Sequence, residues 1–205
     1  MKVKRILSGE YVENCYICFD DDKNCFIVDP GEGFDKISAY IESNELKPSF
    51  ILLTHGHGDH IASAEKLKKR FQTKIFGGIE EKEVFENPEL NFTSSMNMGN
   101  MIVNVDRYLK DDDEIDFFGK SIKVIHTPGH TKGGVCYLFE NILFSGDSLF
   151  KGTIGRTDLP TGNYDDLIFS LKQKILILDK DIKVYPGHGF ATTIGEEIEN
   201  NLFLK

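Results

Sequence analysis

Four side chains able to bind a metal ion fall within six residues, in the segment Thr54-His55-Gly56-His57-Gly58-Asp59-His60. Two further segments carry a repeated Pro-Gly-His phrase, Thr127-Pro128-Gly129-His130-Thr131 and Tyr185-Pro186-Gly187-His188-Gly189, with Ser145-Gly146-Asp147-Ser148 between them. Five of the six histidines and two aspartates are thereby accounted for. A chain that uses them together must bring distant stretches to one place. Imidazole nitrogen and carboxylate oxygen suit zinc first, and also manganese or iron. Seven such groups exceed the needs of one tetrahedral ion and match two divalent ions that share a bridging ligand. A lone histidine is more often a packed or surface residue, and short motifs do arise by chance. Four ligands in six residues followed by two Pro-Gly-His phrases is far harder to reach that way.

The residues before each ligand set the fold class. Phe50-Ile51-Leu52-Leu53 precedes His55, Ile122-Lys123-Val124-Ile125 precedes His130, Asn141-Ile142-Leu143-Phe144 precedes Asp147, and Ile182-Lys183-Val184-Tyr185 precedes His188. Each is a short apolar or alternating run stopped by Gly, Pro or Thr, so each reads as a strand followed by a tight loop. The ligands then lie beyond the carboxyl ends of strands, where open sheets covered by helices commonly place their sites. Helical stripes fill the intervals. Ile61, Ala64, Leu67 and Phe71 form one, with Asp59 placed to cap it. Leu167, Leu171, Ile175 and Leu178 form another. Ile194, Ile198 and Leu202 form a third, opened by a Thr193/Glu196 capping box. A weaker helix is expected between Gly33 and Asn44. Val3 to Val28 reads as a hairpin series turning at Asp20 to Asn24, and Ile115 to Phe144 repeats that style. Strands then helices, twice over, predict an α/β chain of two sheets face to face with helices outside. Ile79 to Asp113 is polar and reads as a long excursion near the site.

Composition narrows the function. The 205 residues fit one domain spanning 1–205. The formal charge of −9 disfavours nucleic acid, and the cluster Lys66, Lys68, Lys69, Arg70 reads as a solvated helix face. No apolar run reaches membrane-spanning length and no secretory signal opens the chain, so no membrane partner and a cytoplasmic location are expected. Cys15, Cys18, Cys25 and Cys136 lie in strand-like stretches and read as buried free thiols of a reducing compartment. The sequence sets no oligomeric state.

The seven residues, in this order and context, resemble the metallo-β-lactamase superfamily, in particular its short bacterial glyoxalase II-like (hydroxyacylglutathione hydrolase-like) branch. The resemblance runs from Asn14-Cys15-Tyr16 and Asp29-Pro30-Gly31 to the final helix. It implies an αββα sandwich of two mixed β-sheets flanked by helices, with one metal held by His55, His57 and His130, a second by Asp59, His60 and His188, and Asp147 bridging both. Aspartate at that bridging position argues against antibiotic hydrolysis, since true β-lactamases usually carry Cys or Ser there. The helical domain with which larger hydroxyacylglutathione hydrolases hold glutathione is not expected in a chain ending at Lys205. The loop around Gly155-Arg156-Thr157-Asp158 is similar to that of the short proteins and of the persulfide dioxygenases in the same superfamily.

Such a site implies a binuclear hydrolase of thioesters, such as S-2-hydroxyacylglutathione (S-lactoylglutathione) or a related thiol conjugate, by attack of a metal-bridging hydroxide. Two ions lower the pKa of a shared water and polarise a carbonyl. Asp59 is the catalytic candidate, as a ligand that also aims the hydroxide. A thiolate leaves with little help from an acid. The local charge favours an anionic small-molecule substrate, with Arg156 as the candidate for its carboxylate. His126 reads as structural or as a support behind the ligands. The alternative is a mononuclear iron persulfide dioxygenase using His55, His130 and Asp147; a non-catalytic metal-binding fold has no positive support.

Overall fold

A computed structural model describes residues 1–205, and the chain divides into two compact units: Met1–Gly77 with Lys82–Tyr108, and Gly78–Glu81 with Leu109–Lys205. Each is built on a mixed six-stranded sheet with helices packed on it.

In the first unit the sheet has the order β1 (Lys2–Ser8), β2 (Glu13–Phe19), β3 (Asn24–Val28), β4 (Lys47–Leu53), β5 (Lys74–Gly78), β6 (Arg107–Leu109). The first three strands form the expected antiparallel series, and β3, β4 and β5 are parallel. Alternation explains the core. Ile17, Cys25, Ile27, Ile51, Leu53 and Ile75 point to one face, where they meet Ile37 and Ile41 of α1 (Phe34–Ser43) and Ala64 and Leu67 of α3 (Ala64–Phe71). Tyr16, Cys18, Phe26, Phe50 and Leu52 point the other way and are buried too. That is why these strands read as unbroken apolar runs. Each large side chain so buried contributes about 1.5–3 kcal/mol.

α1 has the expected bounds. Gly33 and Asn44 flank it, and Asn44 Nδ2 donates to the Tyr40 carbonyl at 2.8 Å. The next helix differs from expectation. It is two pieces, α2 (Gly58–Ile61) and α3, and Asp59 does not cap it: His57 is the N-cap, without a side-chain bond, and Asp59 lies in the first turn. The break has a long-range cause. Ser63 N–H donates to the Pro30 carbonyl at 2.9 Å, and its hydroxyl donates to the Gly31 carbonyl. Gly31 in turn lies so close that a Cβ there would sit 2.1 Å from the Asp59 carbonyl oxygen. The basic cluster does face outward on α3, where Lys68 pairs with Asp106 and Arg70 with Glu42.

In the second unit the order is β14 (Thr192–Thr193), β13 (Lys183–Pro186), β10 (Ile142–Gly146), β9 (Val135–Phe139), β8 (Lys120–His126), β7 (Glu114–Phe117). β7 to β10 are successively antiparallel and β13 is parallel to β10. A separate hairpin pairs β11 (Leu149–Phe150) with β12 (Thr153–Ile154). Ile125, Cys136, Leu143 and Val184 pack on Leu167 of α5 (Tyr164–Ser170), on Leu171 and Ile175 of the π-helical turn that continues it, and on Ile194 of α6 (Ile194–Asn200). Thr193 caps α6 as expected, accepting from Glu196 N–H at 3.1 Å. The third member of that stripe is not core: α6 stops at Asn200, and Leu202, in a 3₁₀ turn, is 76% exposed.

The polar excursion is more ordered than its composition suggests. It contains a 3₁₀ turn (Ile79–Glu81), α4 (Lys82–Glu86) and β6.

Candidate metal centre

Each unit carries its own set of donor side chains. Strand direction decides where they emerge. β3 and β4 are parallel, so Asp29 and His55 leave the same end of the first sheet. β8 is antiparallel to β9, β9 to β10, and β10 is parallel to β13, so β8, β10 and β13 run the same way. His130, Asp147 and His188 therefore all follow carboxyl ends, as expected from the sequence.

In the first unit, His55, His57, Asp59 and His60 are all buried. The His55 ring lies 4.7 Å from His57 and 4.2 Å from His60, centroid to centroid, and His60 Nε2 lies 3.9 Å from Asp59 Oδ2. Behind them stands Asp29, to which the motif Asp29-Pro30-Gly31 alone gives no role. Its Oδ1 accepts from Thr54 N–H at 2.7 Å, and its Oδ2 accepts from the Thr54 hydroxyl at 2.6 Å. The same Oδ2 is 3.1 Å from His60 Nδ1, and Thr54 Oγ1 is 3.1 Å from His55 Nδ1. The network assigns the tautomers. The single hydroxyl proton of Thr54 goes to Asp29, so Thr54 Oγ1 accepts from His55 Nδ1–H; Asp29 accepts from His60 Nδ1–H. Both rings are then left with Nε2 as the lone-pair donor, the arrangement in which a carboxylate or hydroxyl behind a histidine orients it as a metal ligand. The signal for Asp29 was present: it follows a strand and precedes Pro-Gly, as the ligands do.

The excursion supports this turn. Asn91 O accepts from Gly58 N–H at 2.7 Å, and the Phe92 ring lies 5.3 Å from that of His57. A Cβ on Gly56 would lie 2.8 Å from Val84 Cγ1, which accounts for glycine between two of the histidines.

In the second unit, Asp147 Oδ2 is 3.7 Å from His130 Nε2 and 3.6 Å from His188 Nε2. His130 Nδ1–H donates to the Arg156 carbonyl at 2.8 Å, so here too Nε2 carries the ring's lone pair, on the side of Asp147. The Arg156 side chain itself forms a fork on Asp158, at 2.8 and 2.7 Å. That pairing holds the Asp158 carboxyl down to about 2. A substrate carboxylate would have to compete with it. His126 is structural: its N–H donates to Asp111 Oδ1 at 2.8 Å, its ring Nε2 lies 3.0 Å from Lys132 O, and its carbonyl accepts from Lys174 Nζ at 2.8 Å.

The donor set fits divalent ions. It offers imidazole nitrogens presented through Nε2 and carboxylate oxygens, the combination that suits zinc, iron or manganese. The four cysteines are all buried and free, as expected, and none belongs to a metal-ligating group. No helix is long and apolar enough to cross a membrane.

The chain is 37% identical to hydroxyacylglutathione hydrolase GloC of Haemophilus influenzae, with 100% of this chain and 98% of the relative covered. Among solved structures, the BLEG-1 B3 metallo-beta-lactamase superimposes with a TM-score of 0.94 at 36% identity, covering 99% of each chain. TTHA1623, crystallised in a di-iron-bound form, matches at a TM-score of 0.87 and 31% identity, covering 98% of this chain and 100% of the other. Residues 8–188 match the metallo-beta-lactamase superfamily along most of the length, and the chain belongs to that superfamily.

Proposed function

We propose that the protein is a binuclear metal-dependent hydrolase of thioesters, with S-2-hydroxyacylglutathione or a related thiol conjugate as substrate. The observation that carries this reading is Asp147 Oδ2, nearly equidistant from the Nε2 atoms of His130 and His188. One carboxylate oxygen facing two histidines is what a ligand shared between two ions requires. On this reading His55, His57 and His130 would hold one ion, Asp59, His60 and His188 the other, and Asp147 would serve both. Bound there, the ions would supply an activated water and polarise the carbonyl. The 37% identity to GloC supports the thioester class, and the di-iron form of TTHA1623 supports two ions and admits iron beside zinc.

The chain's own residues have definite tasks. Asp29 and Thr54 keep the Nδ1 protons of His60 and His55, so that Nε2 is available. Asp59 accepts a hydrogen bond from the attacking water and aims it. The water oxygen bonds to the carbonyl carbon, the C–S bond breaks, and the sulfur leaves with the electron pair, giving a carboxylic acid and a thiol.

A second reading, hydrolysis of β-lactam amides, is supported by the similarity to BLEG-1. Aspartate at position 147 and the demand of an amine leaving group for a proton weigh against it. One experiment tests both. The purified protein is assayed for metal content, for S-lactoylglutathione and β-lactam hydrolysis, and for oxygen uptake with a persulfide. Two ions with thioester turnover support the proposal. β-Lactam turnover without thioester turnover replaces it by the second reading, and one iron with oxygen uptake replaces it by a dioxygenase.

A further inference from the structure

Phe190 stands in the open beside a proposed metal ligand. It follows His188-Gly189, and 74% of it is exposed. Gly189, at φ +75°, turns the chain so that this ring projects from the loop. An exposed phenylalanine alone is unremarkable, but this one forms a wall. Phe150, Lys151, Thr153, His188, Gly189 and Phe190 line an open concavity of about 380 Å³. Two aromatic rings face it, and a third ring, the imidazole of His188, lies 6.3 Å from Phe150. The lysine at its mouth is 3.9 Å from Glu196.

The wall is pre-built. Phe150 and Thr153 sit on the β11–β12 hairpin, whose tip is clamped by the buried carboxylate of Glu197. Glu197 accepts from Gly152 N–H at 2.9 Å, from Asn201 Nδ2 at 2.8 Å and from the Thr192 hydroxyl at 2.7 Å, while Asn201 Nδ2 also donates to Thr153 O at 3.0 Å. A buried carboxyl tied at once to the hairpin tip, to β14 and to the end of α6 fixes its surroundings. A largely preformed, mostly apolar cavity with few polar groups is what a small-molecule subsite looks like. A cavity of about 150 Å³ already accepts benzene, so this one has room for a ring and the chain that joins it to a carbonyl at His188.

We propose that this cavity is a specificity subsite that seats an apolar, preferably aromatic, group of the thioester next to the reacting carbonyl. The inference rests on the hydrolase reading and adds to it the chemical class preferred on one side of the scissile bond. That group can belong to the acyl part or to the thiol.

The test compares matched pairs. On the acyl side, S-phenylacetylglutathione is set against S-acetylglutathione; on the thiol side, the acetyl thioester of benzyl mercaptan against that of ethanethiol. In wild type, kcat/KM should favour the phenyl member of one pair by about tenfold or more, and that pair identifies the source of the group. Phe190→Ala and Phe150→Ala should each collapse the ratio toward one with bound metal unchanged. A ratio near one in wild type, or an undiminished ratio in both variants, overturns the proposal. A binding measurement separates it from the function itself. Phenylacetate should give ligand-observed NMR saturation transfer with the metal-loaded wild type, reduced severalfold in Phe190→Ala, whereas acetate should give none. Absence of thioester turnover with that binding intact would sink the hydrolase reading alone; equal phenylacetate binding by wild type and variant would sink the subsite.

Discussion

Asp29 Oδ2 lies 3.1 Å from His60 Nδ1 and receives the Thr54 hydroxyl that in turn faces His55, so one buried carboxylate orients two proposed ligands at once. On the proposed assignment, those two histidines serve different ions.

Asp29→Asn should therefore weaken both ions together. An amide keeps the shape but brings an N–H where only acceptors fit. Loss of such an outer partner typically costs about 10–100-fold in metal affinity. Competition with a chromophoric chelator measures it, and loss of one ion alone would show that Asp29 does not couple the two.

Asp59→Asn should keep the fold, because the carboxyl makes no helix cap and the turn is held through the backbone by Pro30 and Gly31. Turnover should fall by about 10²–10⁴. Thioester hydrolysis within a few-fold of wild type would remove Asp59 from the catalytic role.

The Arg156–Asp158 fork makes a pH-dependent expectation. The guanidinium depresses the Asp158 carboxyl to about 2. A depressed acid contributes stability that is present above its unfolded value, near 3.9, and is lost as pH falls toward 2. Both side chains are exposed, so the effect on overall stability is small. The sensitive readout is NMR: in Arg156→Ala the Asp158 midpoint should return to the ordinary carboxylate range. The same variant decides the substrate role. A selective loss with anionic thioesters supports Arg156 as their partner, and an equal loss with neutral ones makes it a loop-shaping residue.

Glu13 behaves in the opposite sense. It is fully buried, and burial, helped by the nearby negative charges of Asp29 and Asp59, pushes its carboxyl well above the ordinary range. The folded protein then keeps a proton that the unfolded chain releases. Its contribution is complete below the unfolded value, about 4.3, and declines as pH rises. In the metal-free protein Glu13→Gln should match wild type near pH 4 and exceed it in Tm near pH 8. An equal Tm difference at both pH values would mean that Glu13 is ionised in the fold.

Much of this was written locally. The strands before His55, His130, Asp147 and His188 were legible because each apolar run is stopped by Gly, Pro or Thr, and the parallel order of β10 and β13 follows from a connection long enough to carry the β11–β12 hairpin and α5. The fold class and superfamily were readable from the same residues. What escaped was non-local. The broken helix at Ala62 and Ser63 depends on Pro30 reaching across, and no periodicity in Ile61 to Phe71 contains that bond. Asp29 was visible as a residue but not as a hinge of the ligand network, because its partners lie 25 and 31 positions away. The role of Arg156 was divided in two by the structure: the carbonyl steadies His130 and the side chain faces Asp158.

The buried cysteines bear on the company such an enzyme keeps. A thioester hydrolase releases thiols at its own doorstep, and thiols exchange with any accessible protein sulfur. Here Cys15, Cys18, Cys25 and Cys136 are sealed within strands, with Cys25 pushed up to about 12 and Cys15 raised well above its usual value by burial. Attack requires a thiolate and access to it; burial denies access to all four sulfurs and disfavours the thiolate at Cys15 and Cys25. On the proposed function the protein would be deaf to its products, since a released thiol would meet no accessible sulfur with which to form a mixed disulfide.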